Sequence, residues 1–202
     1  MKPISYSFTS NILPVAQLGT GATSTSLPSG GFGFEKQGEG KTKDWLTPPA
    51  LLAKLGTFDL DPCGCVGMPW RTATTTYFLP EHDGLIHPWF GRVWCNPPYG
   101  HGVEGPWVQR MAEHGNGIML IFARTDNESW QQSVFPHADA TLFLNGRVRF
   151  YLPCGEQAKS GTAPSVLLAY GQNNVDALRN AGLAGAFFPK AEMLGGIKAS
   201  QL

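Results

Sequence analysis

The sequence predicts an α/β fold in which a mostly parallel, doubly wound sheet carries an antiparallel hairpin at one edge. Three observations predict it. Short apolar segments alternate with helical patterns through the middle of the chain. The segment "GIMLIFA", residues 117–123, is apolar throughout, which is typical of a central strand covered on both faces. The segment "ATLFL-NG-RVRFYL" has Asn145-Gly146 where a tight hairpin turn needs two positive-φ residues.

Turn and capping signals define the individual elements. "TPPALLAKLG" predicts a short helix that Thr47 caps, that has Pro48 and Pro49 in its first turn, and that ends at Gly56. "TFDLD", residues 57–61, predicts a strand with Asp61 at its carboxyl end. The remaining predicted strands are 72–79, 91–95, 117–123 and 164–171, and the remaining predicted helices are 106–114, 128–134 and a terminal helix at 175–185.

Composition limits the class of protein. The chain has 202 residues, of which 42% are hydrophobic, and its 15 basic residues balance 15 acidic ones. A strongly basic nucleic-acid scaffold is therefore excluded, and no apolar run is long enough for a membrane span, so we expect a soluble, cytoplasmic protein with no membrane partner. Residues 1–40 are rich in Gly, Ser and Thr and predict a flexible arm before a single domain at 41–202.

The four cysteines form no CxxC pair. Cys63-Gly64-Cys65 fits either half of a metal site or reduced thiols that pack as small hydrophobic side chains. The second interpretation is favoured because no further Cys/His pair lies at zinc-site spacing, and we predict no metal.

Three predicted strands end in polar side chains: Asp61, Asn96 and Arg124. The carboxyl ends of parallel strands share one rim of a sheet, where ligands bind. The side-chain oxygen of Asn96 and the carbonyl of Pro97 are two acceptors on a stiff backbone, since Pro97 and Pro98 restrict it. Together they fit the two hydrogens of one planar NH₂ group, and Tyr99 offers an aromatic face for stacking.

Each of these residues also has a plain interpretation. Asn96 and the two prolines fit an ordinary turn that ends a strand. Asp61 before Pro62 fits the start of a turn, and Asp83-Gly84 is a common turn dipeptide.

Asn96-Pro97-Pro98-Tyr99 resembles the catalytic [DNS]PP[YFW] motif of amino-directed methyltransferases that use S-adenosyl-L-methionine. The wider pattern "DWLTPP…FDLDPCG…DGL…W.GRVWCNPPYG" resembles the phage-type DNA adenine methyltransferase (Dam-like) family, over about residues 44–170. The resemblance implies a Rossmann-like methyltransferase domain of reduced size, and adenine-specific DNA methylation as the activity. A role in restriction-modification or in marking phage DNA is left open.

The resemblance also implies a cofactor site. In the N-terminal cofactor motif, Trp45, Thr47 and Pro48 close over the methionine end of S-adenosyl-L-methionine. Asp61, Pro62 and Cys63 match the strand-end acidic motif, with Asp61 near the cofactor's ammonium group. Asp83 matches the later acid that lies near the adenine amine of the cofactor.

An adenine in double-stranded DNA must be flipped out of the duplex to reach this rim. Four basic residues are candidate contacts to phosphates or base edges: Arg124, Arg147, Arg149 and Lys159. Phe150 is a candidate stacking surface for a base. The alternative is a surface hairpin in which the arginines alternate with core-facing Val148 and Phe150. Site recognition is expected from the loops at 101–106 and 145–164, in a monomer or weak dimer.

Two other functions fit the motif. The amine acceptor is also compatible with cytosine in DNA, a base in RNA or a glutamine side chain, because NPPY alone does not distinguish them. A non-catalytic DNA-binding relic is the alternative from another class.

Overall fold

The computed structural model describes residues 45–100, 102–158 and 163–190, so the predicted arm at 1–40 lies outside the described residues. Within them, one sheet has seven strands: β1 Leu60–Cys65, β2 Thr75–Leu79, β3 Val93–Cys95, β4 Gly117–Phe122, β5 Ala140–Leu144, β6 Ser165–Tyr170 and β7 Gly185–Pro189. The helices are α1 Pro49–Leu55, α2 Glu104–His114, α3 Phe135–His137 and α4 Gln172–Asn180. A π-helical turn, Trp130–Val134, leads directly into α3.

The strand order is β2-β1-β3-β4-β6-β5-β7. Strands β2, β1, β3 and β4 run parallel to one another, whereas β6 runs antiparallel to β4 and β5, and β7 runs antiparallel to β5. The prediction of an α/β sheet with a parallel centre and antiparallel strands at one edge is confirmed. As predicted, β4 is a central strand, and all six of its residues are buried.

The predicted hairpin across Asn145-Gly146 is wrong. Gly146 has the positive φ of a turn residue, +83°, but residues 147–150 form no strand against β5. The physical reason is that both edges of β5 are already paired, with β6 on one side and β7 on the other. Strand β7 was not predicted. The predicted terminal helix at 175–185 is α4, which ends at Asn180, and β7 follows it.

Strand β1 begins and ends later than predicted. It starts at Leu60 and continues through Asp61 to Cys65, so Asp61 is its second residue and not its carboxyl end. Its pairing with β2 is irregular between Asp61 and Gly64. Pro62 lies inside this irregularity, and a proline has no amide hydrogen to donate to a regular ladder.

Helices cover both faces of the sheet. Helices α1 and α4 pack on one face through residues such as Leu55 and Leu178. Helix α2 and the π-helical turn pack on the other face through residues such as Met111 and Trp130. None of the helices in the described ranges is long and apolar enough to cross a bilayer.

Helix α1 confirms one predicted signal and corrects another. Gly56 follows it with φ of +87°, as expected of a glycine that ends a helix. Thr47 does not cap it, because Pro48 is the N-cap residue. Among the described residues no side chain caps the helix, and none is a hydrogen-bond partner of the buried Thr47 hydroxyl.

Candidate active site

The site lies where β1 and β3 separate. The two strands pair only at Leu60 and Val93, and beyond this pair they meet through the thiols of Cys63 and Cys95 and not through a strand ladder. This is also where the strand order reverses. Strand β2, which comes next in the chain, lies on one side of β1, and β3 lies on the other side. Crevices at such positions are the usual ligand sites of open α/β sheets.

A cavity of about 30 Å³ occupies this crevice. Its walls come mainly from residues 45–47, from residues 61 and 63–65 of β1, and from residues 96–98 after β3. Seven of the predicted site residues therefore meet here: Trp45, Thr47, Asp61, Cys63, Asn96, Pro97 and Pro98. This volume exceeds the roughly 10–15 Å³ that one water molecule needs, so in this conformation the cavity has room for a group the size of a methyl or an ammonium.

Asn96 is the first residue after β3, and both ends of its side-chain amide are engaged. Its Nδ2 donates to the Trp45 carbonyl oxygen at 2.5 Å. Its Oδ1 accepts a hydrogen bond of 2.7 Å from the Tyr99 hydroxyl. Since Nδ2 is the only donor of the amide and Oδ1 its only acceptor, these two bonds fix the orientation of the group.

Tyr99 does not present the open aromatic face that the sequence predicts. Its ring stacks on Phe122 with 4.1 Å between centroids and meets the edge of Phe150, and only 9% of the residue is exposed. Its hydroxyl also lies 3.3 Å from the Leu120 carbonyl. Burial raises the pKa of Tyr99 well above its ordinary value, so its hydroxyl is a neutral donor to Asn96.

Asp61 is a buried acid whose two oxygens have separate donors. Oδ1 accepts from the backbone N–H of Cys63 at 3.0 Å, and Oδ2 accepts from the Thr72 hydroxyl. Burial raises the pKa of Asp61, and these two hydrogen bonds partly oppose that rise. None of the groups that shift the pKa of Asp61 is a cation. Among the described residues, its carboxyl group therefore lines the cavity without a cationic partner.

Cys63 and Cys95 meet beside Asp61, with 3.7 Å between their Sγ atoms. Both are free thiols, and burial raises the pKa of each. The prediction of reduced cysteines packed as small side chains is confirmed for Cys63, Cys65 and Cys95, whereas Cys154 is exposed.

The glycine of the "DPCG" motif has a packing role. A Cβ on Gly64 would lie 2.3 Å from the Thr76 side chain and 3.2 Å from the Met68 sulfur. Only glycine therefore allows β1 to approach β2 this closely after the irregularity at Pro62.

Three residues of the predicted cofactor set lie outside the cavity lining: Pro48, Pro62 and Asp83. Asp83 belongs to a turn, as in its plain interpretation. Its Oδ1 accepts from the Leu85 N–H at 2.9 Å, and its carbonyl oxygen accepts from the backbone N–H groups of Ile86 and His87. The turn packs against β1: a Cβ on Gly84 would lie 1.9 Å from the Pro62 carbonyl oxygen.

None of the predicted DNA contacts among the described residues lines the cavity. Arg124, Arg147 and Arg149 are exposed, and the Arg124 guanidinium lies 5.7 Å from the Phe122 ring centroid. Phe150 is buried against Trp45 and Tyr99, so it is a core residue and not an exposed stacking surface. Lys159 lies outside the described residues, as do parts of the predicted recognition loops, at 101 and 159–162.

Sequence reasoning missed two polar residues of the site. Thr72, on the connection from β1 to β2, lines the cavity and donates to Asp61. Glu104 is the first residue of α2, where burial raises its pKa to about 7 while the charge of Arg124 acts in the opposite direction. The available signal for Glu104 was an acid at the start of the helix that follows the NPPY segment; Thr72 lay in a run of threonines without a distinguishing pattern.

A comparison with protein families gave one finding. A family model described as DNA N-6-adenine-methyltransferase (Dam) matches residues 36–177, well over half of the chain and a span that includes every residue lining the cavity. Searches of curated proteins and of solved structures returned no match.

Proposed function

Since the chain belongs to the DNA N-6-adenine-methyltransferase (Dam) family, we propose that it methylates adenine in double-stranded DNA at the cavity between β1 and β3. The family's activity makes the chain a DNA adenine methyltransferase, an enzyme of the S-adenosylmethionine-dependent class. The finer assignments are that the sheet is a Rossmann-like methyltransferase sheet and that the exocyclic amine of adenine is bound by Asn96 and Pro97.

The observation that carries this proposal is the orientation of Asn96. Because the Trp45 carbonyl holds Nδ2, the Asn96 amide cannot turn over without losing a hydrogen bond. Oδ1 is therefore the atom available to the amine, and it has a second lone pair beyond the one that Tyr99 uses. With the Pro97 carbonyl, it accepts both amine hydrogens and increases the electron density on the nitrogen. The N–C bond would form as the methyl–sulfur bond of the donor breaks, and one of the two amine hydrogens would then leave as a proton.

Tyr99 acts on Asn96 and not on the base in this arrangement. Its hydroxyl has one proton and two acceptors in reach, Asn96 Oδ1 at 2.7 Å and the Leu120 carbonyl at 3.3 Å. When the Tyr99 hydroxyl donates to the Leu120 carbonyl instead, both lone pairs of Asn96 Oδ1 are available to the amine. We assign Tyr99 a positioning role.

The residues of the cavity fit the methionine end of S-adenosyl-L-methionine. A buried carboxylate without a cation, Asp61, fits an ammonium group, and the unpartnered hydroxyl of Thr47 fits a polar group of the ligand. When bound, this cofactor supplies an electrophilic methyl group. Asp61 and Thr47 bind and orient its amino-acid end, and Cys63 and Cys95 form an apolar wall beside them.

The roof of the cavity has to move for the complete ligands to enter. A space of about 30 Å³ is far smaller than a nucleobase or the whole cofactor. The roof is the segment Trp45–Thr47, which is attached by two backbone hydrogen bonds between Leu46 and Tyr151 and by the Asn96–Trp45 bond. Breaking them opens the crevice for entry, and the Asn96–Trp45 bond forms again when the roof closes over the ligands, so that Oδ1 faces the amine.

On the DNA side, Arg124 and Arg149 are two exposed cations whose sequence neighbours pack beside the site. Arg124 follows β4, and Arg149 precedes Phe150, whose ring contacts both Trp45 and Tyr99. We assign both arginines to phosphates next to the flipped adenine.

The proposal is tested by incubating the full chain with methyl-labelled S-adenosyl-L-methionine and duplex DNA, RNA or protein, followed by nucleoside analysis. We expect label in DNA as N6-methyladenine. Label in cytosine, or label confined to RNA or protein, would contradict the proposal, and so would the absence of transfer to any of the three.

A further inference from the structure

We propose that Thr72 is a positioning residue of the methyltransferase site, where its hydroxyl keeps the Asp61 carboxylate ionised and oriented to bind the cationic end of the cofactor. Neither the sequence motifs nor the family match assigns Thr72 a role. This inference rests on the proposed function for the identity of the cation, and it concerns only how Asp61 is prepared to bind it.

The geometry separates the two oxygens of Asp61. The Cys63 N–H, on the same strand, donates to Oδ1 at 3.0 Å, and the Thr72 hydroxyl, from the connection between β1 and β2, donates to Oδ2. Two donors from two different elements fix the plane of the carboxylate. Thr72 itself lines the cavity, so its hydroxyl meets Asp61 at the wall where a ligand binds.

Thr72 matters because, within the part of the chain that the structure describes, the other groups that share the cavity with Asp61 carry no positive charge. Facing it are the thiol of Cys63 on β1, the thiol of Cys95 on β3, the amide of Asn96 after β3 and the hydroxyl of Thr47 in the roof. Burial raises the pKa of Asp61, and the Thr72 hydrogen bond is the strongest of the effects that lower it. A protonated Asp61 would not attract an ammonium group, so Thr72 controls the pH above which the cofactor binds.

The test compares Thr72→Val, which removes the hydroxyl and keeps the shape, with Thr74→Val as the matched control. Thr74 lies two residues further along, and its hydroxyl is bonded to the Phe58 carbonyl at 3.3 Å, away from Asp61. Two quantities are measured: the carboxyl ¹³C NMR titration of Asp61 in the ligand-free protein, with Asp61→Asn to assign its signal, and the calorimetric affinity for S-adenosylhomocysteine as a function of pH.

We expect the Thr72→Val titration to lie at higher pH than that of the wild type, and the Thr74→Val titration to coincide with the wild type. Affinity for S-adenosylhomocysteine should rise with pH in all three proteins. Below both midpoints, Thr72→Val should bind roughly tenfold more weakly, and the difference should shrink at higher pH as its Asp61 ionises. Thr72→Ser, which retains a hydroxyl, should restore the wild-type midpoint.

If Thr72→Val does not fold, Thr72→Ala is measured in its place with the same expectation. An unchanged Asp61 titration in either folded variant would overturn the role of Thr72. The proposed function fails by a different result, namely a wild-type chain that does not bind S-adenosylhomocysteine or does not methylate DNA.

Discussion

Two regions of the sheet are built in contrasting ways. Strands β4 and β6 pair at six consecutive positions, and every residue of both strands is buried. Strands β1 and β3 pair at one position, and the pairing of β1 with β2 is interrupted between Asp61 and Gly64. One region is a regular apolar ladder, and the other is an opening in the same sheet.

The comparison separates stability from chemistry. The regular region buries side chains such as Ile118 and Leu168 completely, and burial of apolar surface is the main stabilising contribution to a fold. The irregular region keeps a carboxyl group, Asp61, and an amide, Asn96, at the edge of a cavity, where the absence of strand pairing leaves room for a ligand. The site thus lies where β1 leaves β3, and β4 and β6 supply the rigid support beside it.

The largest effect on stability is expected in the regular region. Leu168 on β6 is completely buried, so Leu168→Ala should lower the free energy of unfolding by about 3 kcal/mol through lost burial and a residual cavity. Ile86 is 77% exposed, and Ile86→Ala should change the free energy of unfolding by less than about 0.5 kcal/mol. Urea unfolding of both variants measures this. A smaller loss for Leu168→Ala than for Ile86→Ala would contradict the division of roles.

A smaller, pH-dependent effect is expected from Glu104 at the rim. Its pKa rises from the ordinary 4.5 to about 7, so the folded protein holds this proton more tightly than the unfolded chain does. The free energy of unfolding therefore falls as pH rises from 4.5 to 7, by roughly 2 kcal/mol for this residue after allowance for its partial exposure.

Glu104→Gln should remove this dependence, so that the variant becomes more stable than the wild type at pH 7.5 and not at pH 4.5. Glu113→Gln is the control, because Glu113 lies exposed on the same helix. Unfolding curves at several pH values measure the slope, and equal slopes for the wild type and Glu104→Gln would refute the raised pKa.

The smallest effect is expected from an exposed cation. Arg149→Gln should weaken DNA binding roughly fivefold, by the same factor for every DNA sequence. The slope of log K against log salt concentration should become shallower by about the amount of one phosphate contact. Arg179→Gln, on α4 and over the Phe187 ring, is the control. Fluorescence anisotropy with labelled duplexes over a salt series measures both slopes. Identical slopes for the wild type and Arg149→Gln would exclude a phosphate contact by Arg149.

The parts of the fold that the sequence predicted are those with local signals. Helix α1 has Pro48 and Gly56 at its ends, and β4 has an uninterrupted apolar run, so both were predicted at nearly their observed positions. The absence of a hairpin at Asn145-Gly146 had no local signal. It depends on β7, which pairs with the edge of β5 although it lies more than 40 residues further along the chain. The shift of β1 likewise depends on its partner strands.

The candidate site divides in the same way. The convergence of Asp61 and Asn96 was predicted from strand ends in a parallel sheet. Both residues line the cavity, but only Asn96 follows a strand end, since Asp61 lies within β1. The burial of Tyr99 was not predictable, because it depends on the rings of Phe122 and Phe150, which come from separate parts of the chain. Thr72 was missed for a related reason, since its partner, Asp61, lies on a different element.

The most direct test of the account is the single-turnover methylation rate of Asn96→Ala on duplex DNA, measured together with its affinity for S-adenosylhomocysteine. Asn173→Ala, an exposed asparagine on α4, is the matched control. If Asn96 accepts the amine hydrogens, the rate falls about a hundredfold or more while the affinity stays within about twofold of the wild type. A rate equal to that of Asn173→Ala would contradict the central claim.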